Sequence, residues 1–175
     1  RGKKLNVEFV SANPTGPMHI GHARCAIYGD VLCNLLERVG FNVEREYYIN
    51  DAGGQIDTLA KSLWIRYQQQ CGLDIDLPND CYPGDYLIDI AKELKLANLS
   101  INCHDQYDRV KDLLKDFSVK KIMTLIKKDL NDLRVHFDLF TSEKEEVIEK
   151  GRVDEVIAKL KAKKLIASGF LEEPK

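Results

Sequence analysis

Apolar residues first gather in the β-branched and aromatic run Val7 to Val10, which predicts a strand. Pro14, Gly16 and Pro17 deny it any continuation. From Ile20 to Val39 the chain is helix-compatible, with Ile27, Val31, Leu35 and Val39 four apart on one face. Gly40 suits a helix stop, and Phe41 to Ile49 predicts a second strand. The intervening helix is long enough for a right-handed crossover, so the two strands are expected to be parallel. A second helix is predicted by Ile56, Leu59, Ala60, Leu63 and Tyr67, closed by Gly72.

Beyond Gly72 the period is lost until Pro83, which places an insertion boundary there. Tyr86 to Asn98 predicts a short amphipathic helix, and Arg109 to Leu133 a long one. Val135 to Phe140 predicts a third strand, followed by a polar turn at Thr141-Ser142-Glu143. Arg152 to Lys164 predicts a last amphipathic helix, with Val153, Val156, Ile157 and Leu160 on one side. The expected division is residues 1–72, a mainly helical insertion at 73–134, and a returning strand and helix at 135–175.

Composition narrows the classes. With 175 residues and 44% hydrophobic content, one domain with a modest insertion is expected. Lys and Arg number 26 against 28 Asp and Glu, so no basic nucleic-acid cradle covers the whole piece. The lysine-rich helix sides, such as Lys120-Lys121 and Lys159 to Lys164, read as solvated. No apolar run approaches a membrane span and no signal-peptide pattern opens the chain, so no membrane partner is expected. Five cysteines without a C-x-x-C pair argue against a disulfide framework and suit a reducing cytoplasm. His104 and His136 stand singly, so no protein-bound zinc is expected. Nothing fixes the oligomeric state; a monomer is the favoured expectation. Arg1 at one end and a turn-like stretch at the other read as a piece cut from a longer protein.

The chemistry concentrates between Val7 and Arg24. A strand running into a Pro/Gly loop and a helix N-terminus makes an anion site, because free N–H groups and the helix dipole point outwards there. His19 and His22 sit at that positive end, suited to donate hydrogen bonds to a triphosphate. Gly21 lacks a Cβ and would let a flat purine lie against the backbone. The alternative is a pair of capping or core-edge histidines. A second polar loop, Asn50-Asp51-Ala52-Gly53-Gly54-Gln55, follows the second strand, and ligands of open α/β sheets collect at such strand ends. Asp51 also reads as a helix N-cap working through Gln55. Tyr47, Tyr48 and Trp64 read as packing residues. Neither glycine loop is a G-x-G-x-x-G or a P-loop.

The string Val-Glu-Phe-Val-Ser-Ala-Asn-Pro-Thr-Gly-Pro-Met-His-Ile-Gly-His-Ala-Arg resembles the HIGH region of class I aminoacyl-tRNA synthetases, and arginyl-tRNA synthetases in particular. The resemblance continues at Tyr48 to Gln55 and at His136 to Glu143, with Tyr82-Pro-Gly-Asp-Tyr86 resembling the bacterial type. It implies an α/β fold with a Rossmann-like (HUP-type) parallel sheet, the first half of a split catalytic domain. It further implies ATP-dependent ligation of L-arginine to its tRNA through an arginyl-adenylate, with Mg²⁺ riding on the ATP. Pro14, Thr15, Gly16, His19, Gly21 and His22 would bind ATP, with His19 and His22 catalytic.

Glu8, Ser11, Asn13 and Asp51 would line the amino-acid pocket. Glu8 offers the carboxylate that a planar guanidinium wants, although an exposed residue of an alternating strand would look the same. Glu143 is equally a second carboxylate for that guanidinium or an acid leading into a helix. No lysine-bearing KMSKS segment occurs in the 175 residues, so the chain alone is expected to be catalytically inactive. The runner-up reading is a small H-x-G-H nucleotidyltransferase; a stand-alone helical interaction module leaves the first 55 residues without a reason.

Overall fold

The computed structural model describes residues 2–97, 99–166 and 169. Three strands, β1 (Lys4–Glu8), β2 (Asn42–Ile49) and β3 (Leu139–Ser142), form one parallel sheet in that order. The helices are α1 (Ile20–Arg38), α2 (Gly54–Gln70), α3 (Tyr86–Leu96), α4 (Tyr107–Asp132) and α5 (Arg152–Ala162), with a π turn at Lys144–Ile148. The α/β class with a parallel sheet is therefore as expected from the sequence.

Two strands sit away from the runs that announced them. β1 begins three residues before Val7 and ends at Glu8, because Val10 and Ser11 take φ of 65° and 39° and break the pleat. Val135 is buried but lies outside a strand; the third ladder starts only after Asp138, whose carboxylate and N–H both bond the backbone of Arg45 at 2.8 and 2.9 Å. Thr141 and Ser142 consequently belong to β3 rather than to a turn. Alternation gives the sheet two unlike faces. Val43, Arg45 and Tyr47 point one way, while Asn6, Glu44, Glu46 and Thr141 make a polar face on which the Asn6 amide donates to Glu46 at 2.7 Å and the Thr141 hydroxyl bonds the same carboxylate.

α1 buries its small residues. Ala26, Gly29 and Cys33 face inward, and a Cβ on Gly29 would stand 2.2 Å from the Phe9 ring. The large residues Ile27, Val31, Leu35 and Val39 are exposed, so their four-residue spacing does not mark a core face here. Arg45 reaches from β2 to grip Glu37 of α1 with two bonds, at 2.7 and 3.1 Å, and Asn34 with a third at 2.9 Å.

The main core lies around α2, between α3 and α4. Leu59, Leu63, Leu87, Leu114, Ile122 and Ile126 are fully buried there. Each contributes about 1.5–3 kcal/mol on removal from water, so this helical layer dominates the burial. Trp64 and Tyr47 are part of that core, as packing residues. In α5 the apolar side, Val153, Val156 and Ile157, stays exposed. Among the described residues, no helix is long and apolar enough to cross a membrane. All five cysteines are free.

Candidate functional site

Because the strands are parallel, the segments following Glu8, Ile49 and Ser142 leave the sheet at the same edge. Hydrogen bonds tie them together. The Ser11 hydroxyl donates to Glu8 at 2.7 Å and accepts the Tyr48 N–H at 3.0 Å. The Asn13 amide donates to Gln55 at 2.9 Å. Asp51 accepts the Ser142 hydroxyl at 2.6 Å and the Lys144 N–H at 2.8 Å. The Asp51 carboxylate thus starts the π turn, and Gly53, at φ 83° and with no side-chain bond, is the residue that caps α2. Asp51 is not the N-cap that the sequence suggested.

The loop from Phe9 to Met18 is held in an unusual shape. A β-branched residue at positive φ, as at Val10, costs on the order of 1–3 kcal/mol and persists only where its surroundings impose it. Those surroundings are visible: the buried Tyr47 hydroxyl donates to the Ala12 carbonyl at 2.9 Å, and Pro14 is fully buried. Thr15 and Gly16 are half-buried.

At the start of α1 the two histidines cap one another. His19 Nδ1 accepts the Gly21 N–H at 3.1 Å, and His22 Nδ1 accepts the His19 N–H at 3.3 Å. With both Nδ1 atoms acting as acceptors, the ring proton of each neutral imidazole belongs on Nε2. His19 is exposed and His22 half-buried, so neither is sealed in an apolar interior. Gly21 has a clear structural duty, since a Cβ there would lie 2.9 Å from His19 Cε1. Capping explains where the rings are held; it leaves both Nε2–H groups for other work.

Tyr48 is half-buried, and its backbone N–H is held by Ser11. Burial first, then the carboxylates of Glu143, Asp51 and Glu8, push its hydroxyl above the ordinary tyrosine range. Three predicted acids, one from each segment, therefore act on one phenol. Glu8 is exposed, as an alternating strand requires, yet its carboxylate is held by Ser11 at this edge.

Two hollows flank this edge. One of 680 Å³ lies between the start of α2, α4 and the π turn, lined by Asp51, Gly53, Lys115, Asp116, Lys144 and Glu145 among others. The other, 520 Å³, is lined by Phe9, Val10, Arg24, Cys25 and Tyr28. Neither is lined by the histidines.

The profile of class I tRNA synthetases (R), catalytic domain, matches residues 1–169. The chain belongs to the arginyl-tRNA synthetase catalytic-domain family. An arginine–tRNA ligase of Ehrlichia chaffeensis is 50% identical over 174 residues, 99% of this chain and 30% of that protein. One from Wolbachia pipientis wMel is 47% identical over 171 residues, covering 98% and 29% of the two chains. A crystal structure assigned to an arginyl-tRNA synthetase of Campylobacter jejuni superposes with a TM-score of 0.81 at 32% identity, over 97% of this chain and 36% of that one. The Thermus thermophilus arginyl-tRNA synthetase, at TM-score 0.57 and 22% identity over 93% and 27% of the chains, shares the fold. The chain spans about 30% of the length of the curated relatives it matches. A match running from residue 1 to 169 gives no support to a small nucleotidyltransferase, which would share only the H-x-G-H loop.

Proposed function

We propose that this chain contributes the ATP-facing and amino-acid-facing half of an enzyme that ligates L-arginine to its tRNA. One observation carries the reading. The His19 and His22 rings, each held through Nδ1 by a backbone N–H at the start of α1, leave Nε2–H free at the end of the loop that follows Glu8. Donors for phosphate and an acid for a guanidinium thus flank one loop, which supports the reading.

In the proposed reaction a carboxylate oxygen of arginine attacks the α-phosphorus of ATP. A new P–O bond forms, the bond to the β-phosphate oxygen breaks, and pyrophosphate leaves. His19 and His22 donate to phosphate oxygens as charge moves onto them, together with the helix dipole of α1. Thr15, Gly16 and Gly21 supply backbone near the nucleotide, and Pro14 fixes the loop from inside. Glu8 is the proposed guanidinium partner, with Glu143 as the second acid. Ser11 and Asn13 are proposed for the amino-acid end. Asp51 is already bonded to Ser142 and Lys144, which supports a role in placing the pocket wall. The catalysis is alignment and charge stabilisation rather than covalent chemistry by the chain. The arginyl group then passes to a ribose hydroxyl of tRNA, releasing AMP.

Mg²⁺ is proposed to enter with the nucleotide's phosphates; among the described residues no three acidic, histidine or cysteine side chains converge to hold an ion. A cytoplasmic location is proposed from the free thiols and the family. The division at residues 1–72, 73–134 and 135–175 is likewise a proposal, supported by the irregular stretch before α3. The packing of α3 and α4 directly on α2 makes the middle segment part of the same core.

The test is calorimetric titration of MgATP into the chain and into a His19→Ala, His22→Ala double variant, followed by L-arginine against L-citrulline. Binding of MgATP that the double variant loses, and a preference for arginine that Glu8→Gln removes, are expected. Equal ATP affinity in both proteins defeats the reading.

A further inference from the structure

The Tyr82-Pro-Gly-Asp-Tyr86 run is distant from the histidines in sequence, but its last residue reaches the loop that leads to them. Tyr86 opens α3, and its hydroxyl donates to the Thr15 carbonyl at 2.5 Å. Two glycines are shaped around this ring. A Cβ on Gly84 would stand 2.2 Å from a ring carbon, and one on Gly16 would stand 3.3 Å from the hydroxyl. The turn carrying the ring is itself fixed to α2. The Tyr82 N–H donates to the fully buried Ser62 hydroxyl at 2.9 Å, and Arg66 donates to the Pro83 carbonyl at 3.1 Å. Burial pushes the Tyr86 hydroxyl up to about 12, so it remains a donor across the physiological range.

Other side-chain bonds anchor this loop, among them Tyr47 to Ala12, Asn13 to Gln55 and Ser11 to Glu8 and the Tyr48 N–H. All of these hold loop residues that precede Pro14. The Tyr86 bond comes later in the chain, four residues before His19. Gly16 is a permissive joint between Pro14 and Pro17, so an untied Thr15 carbonyl would let the following backbone swing.

We infer that Tyr86 is a positioning residue: its hydroxyl, held on the α2–α3 scaffold, sets the place of the Thr15–Gly16 backbone and through it of His19. The inference rests on the nucleotide reading only for what the loop would hold; the bond and the two vacated glycines stand independently of it. An error of about 1 Å in placing a phosphate donor costs up to roughly a hundredfold in rate, which gives such a tie its value.

The experiment compares Tyr86→Phe with Tyr67→Phe in the 175-residue chain. Each variant removes a hydroxyl bond to a carbonyl, but Tyr67 bonds Ile101 at 3.1 Å, away from the loop. Residue-resolved amide hydrogen exchange is read at residues 15–22, together with MgATP affinity. Tyr86→Phe is expected to speed exchange at the bonded amides of Thr15, His19 and Gly21 by about five- to tenfold and to weaken MgATP by a similar factor, with Tyr67→Phe changing neither. Gly84→Ala, which keeps the hydroxyl but displaces the ring, is expected to give the same loop signature. Unchanged loop exchange in both Tyr86→Phe and Gly84→Ala, or equal loosening by Tyr67→Phe, overturns the inference. If the wild type binds no MgATP, the nucleotide reading fails while the exchange comparison still decides the role of Tyr86.

Discussion

The imidazoles of His19 and His22 lie face to face, 3.7 Å between centroids and 18° from parallel, each with Nδ1 engaged by a backbone N–H. A proton added at either Nδ1 would break a cap. His22 is held below its ordinary value of 6.5, by partial burial first and by the neighbouring His19 second. A base with a lower pKa folded than unfolded binds fewer protons in the folded state. Its share of stability is therefore present above pH 6.5 and is lost as pH falls through the folded value. NMR titration is expected to place the His22 midpoint below 6.5, and His22→Gln to flatten the acid limb of the stability curve. A midpoint at or above 6.5 contradicts the stacked arrangement.

Gly21→Ala separates capping from helix propensity. Alanine favours the helix by about 1 kcal/mol over glycine. Its Cβ would press on His19 Cε1 and Nδ1, at 2.9 and 3.1 Å, and turn that ring off its cap. Thermal stability is expected to change by only a few degrees, while affinity for MgATP falls about tenfold; an unchanged affinity would show that His19's position is immaterial.

The Ser11 hydroxyl serves Glu8 and the Tyr48 N–H at once. Ser11→Ala leaves that half-buried N–H without a partner, a cost of about 1–3 kcal/mol. Urea denaturation is expected to register this loss. Arginine binding should weaken as well, because Glu8 is then free to rotate.

Asp51 joins the β2 edge to the π turn by two charge-assisted bonds. Asp51→Ala is expected to cost about 2–4 kcal/mol and to release the Lys144 amide to fast exchange. Asp51→Asn should retain part of the stability, since one acceptor oxygen survives. Equal loss in both variants would indicate that the charge, not the acceptor, matters.

On α1 the expectation runs against hydrophobicity. Leu35 is 61% exposed, so Leu35→Gln, which keeps helix propensity, is expected to stay within about 0.5 kcal/mol of the parent. Gly29→Ala puts a carbon 2.2 Å from the Phe9 ring and is expected to cost about 1–3 kcal/mol. Chemical denaturation of the two variants side by side decides the matter.

Local rules carried far along this chain. Helical period located the five α-helices among the described residues, though not the π turn at Lys144–Ile148, and the break at Pro14 to Pro17 placed the loop after β1, because propensity and turn residues act within a few neighbours. The string from Val7 to Arg24, more than the two histidines alone, carried the family resemblance for the same reason: its residues are contiguous. What required the fold was everything that joins distant segments. Which face of α1 is buried followed from Phe9 lying against Gly29, and no period in the helix records that. The start of β3 depended on a side chain bonding the backbone of a strand 93 positions earlier. Asp51, read also as a cap for the following helix, turned to Ser142 instead. Sequence pattern reports the partners a residue has within a turn or a pleat; only the chain's return through the sheet decided which remote groups share an edge.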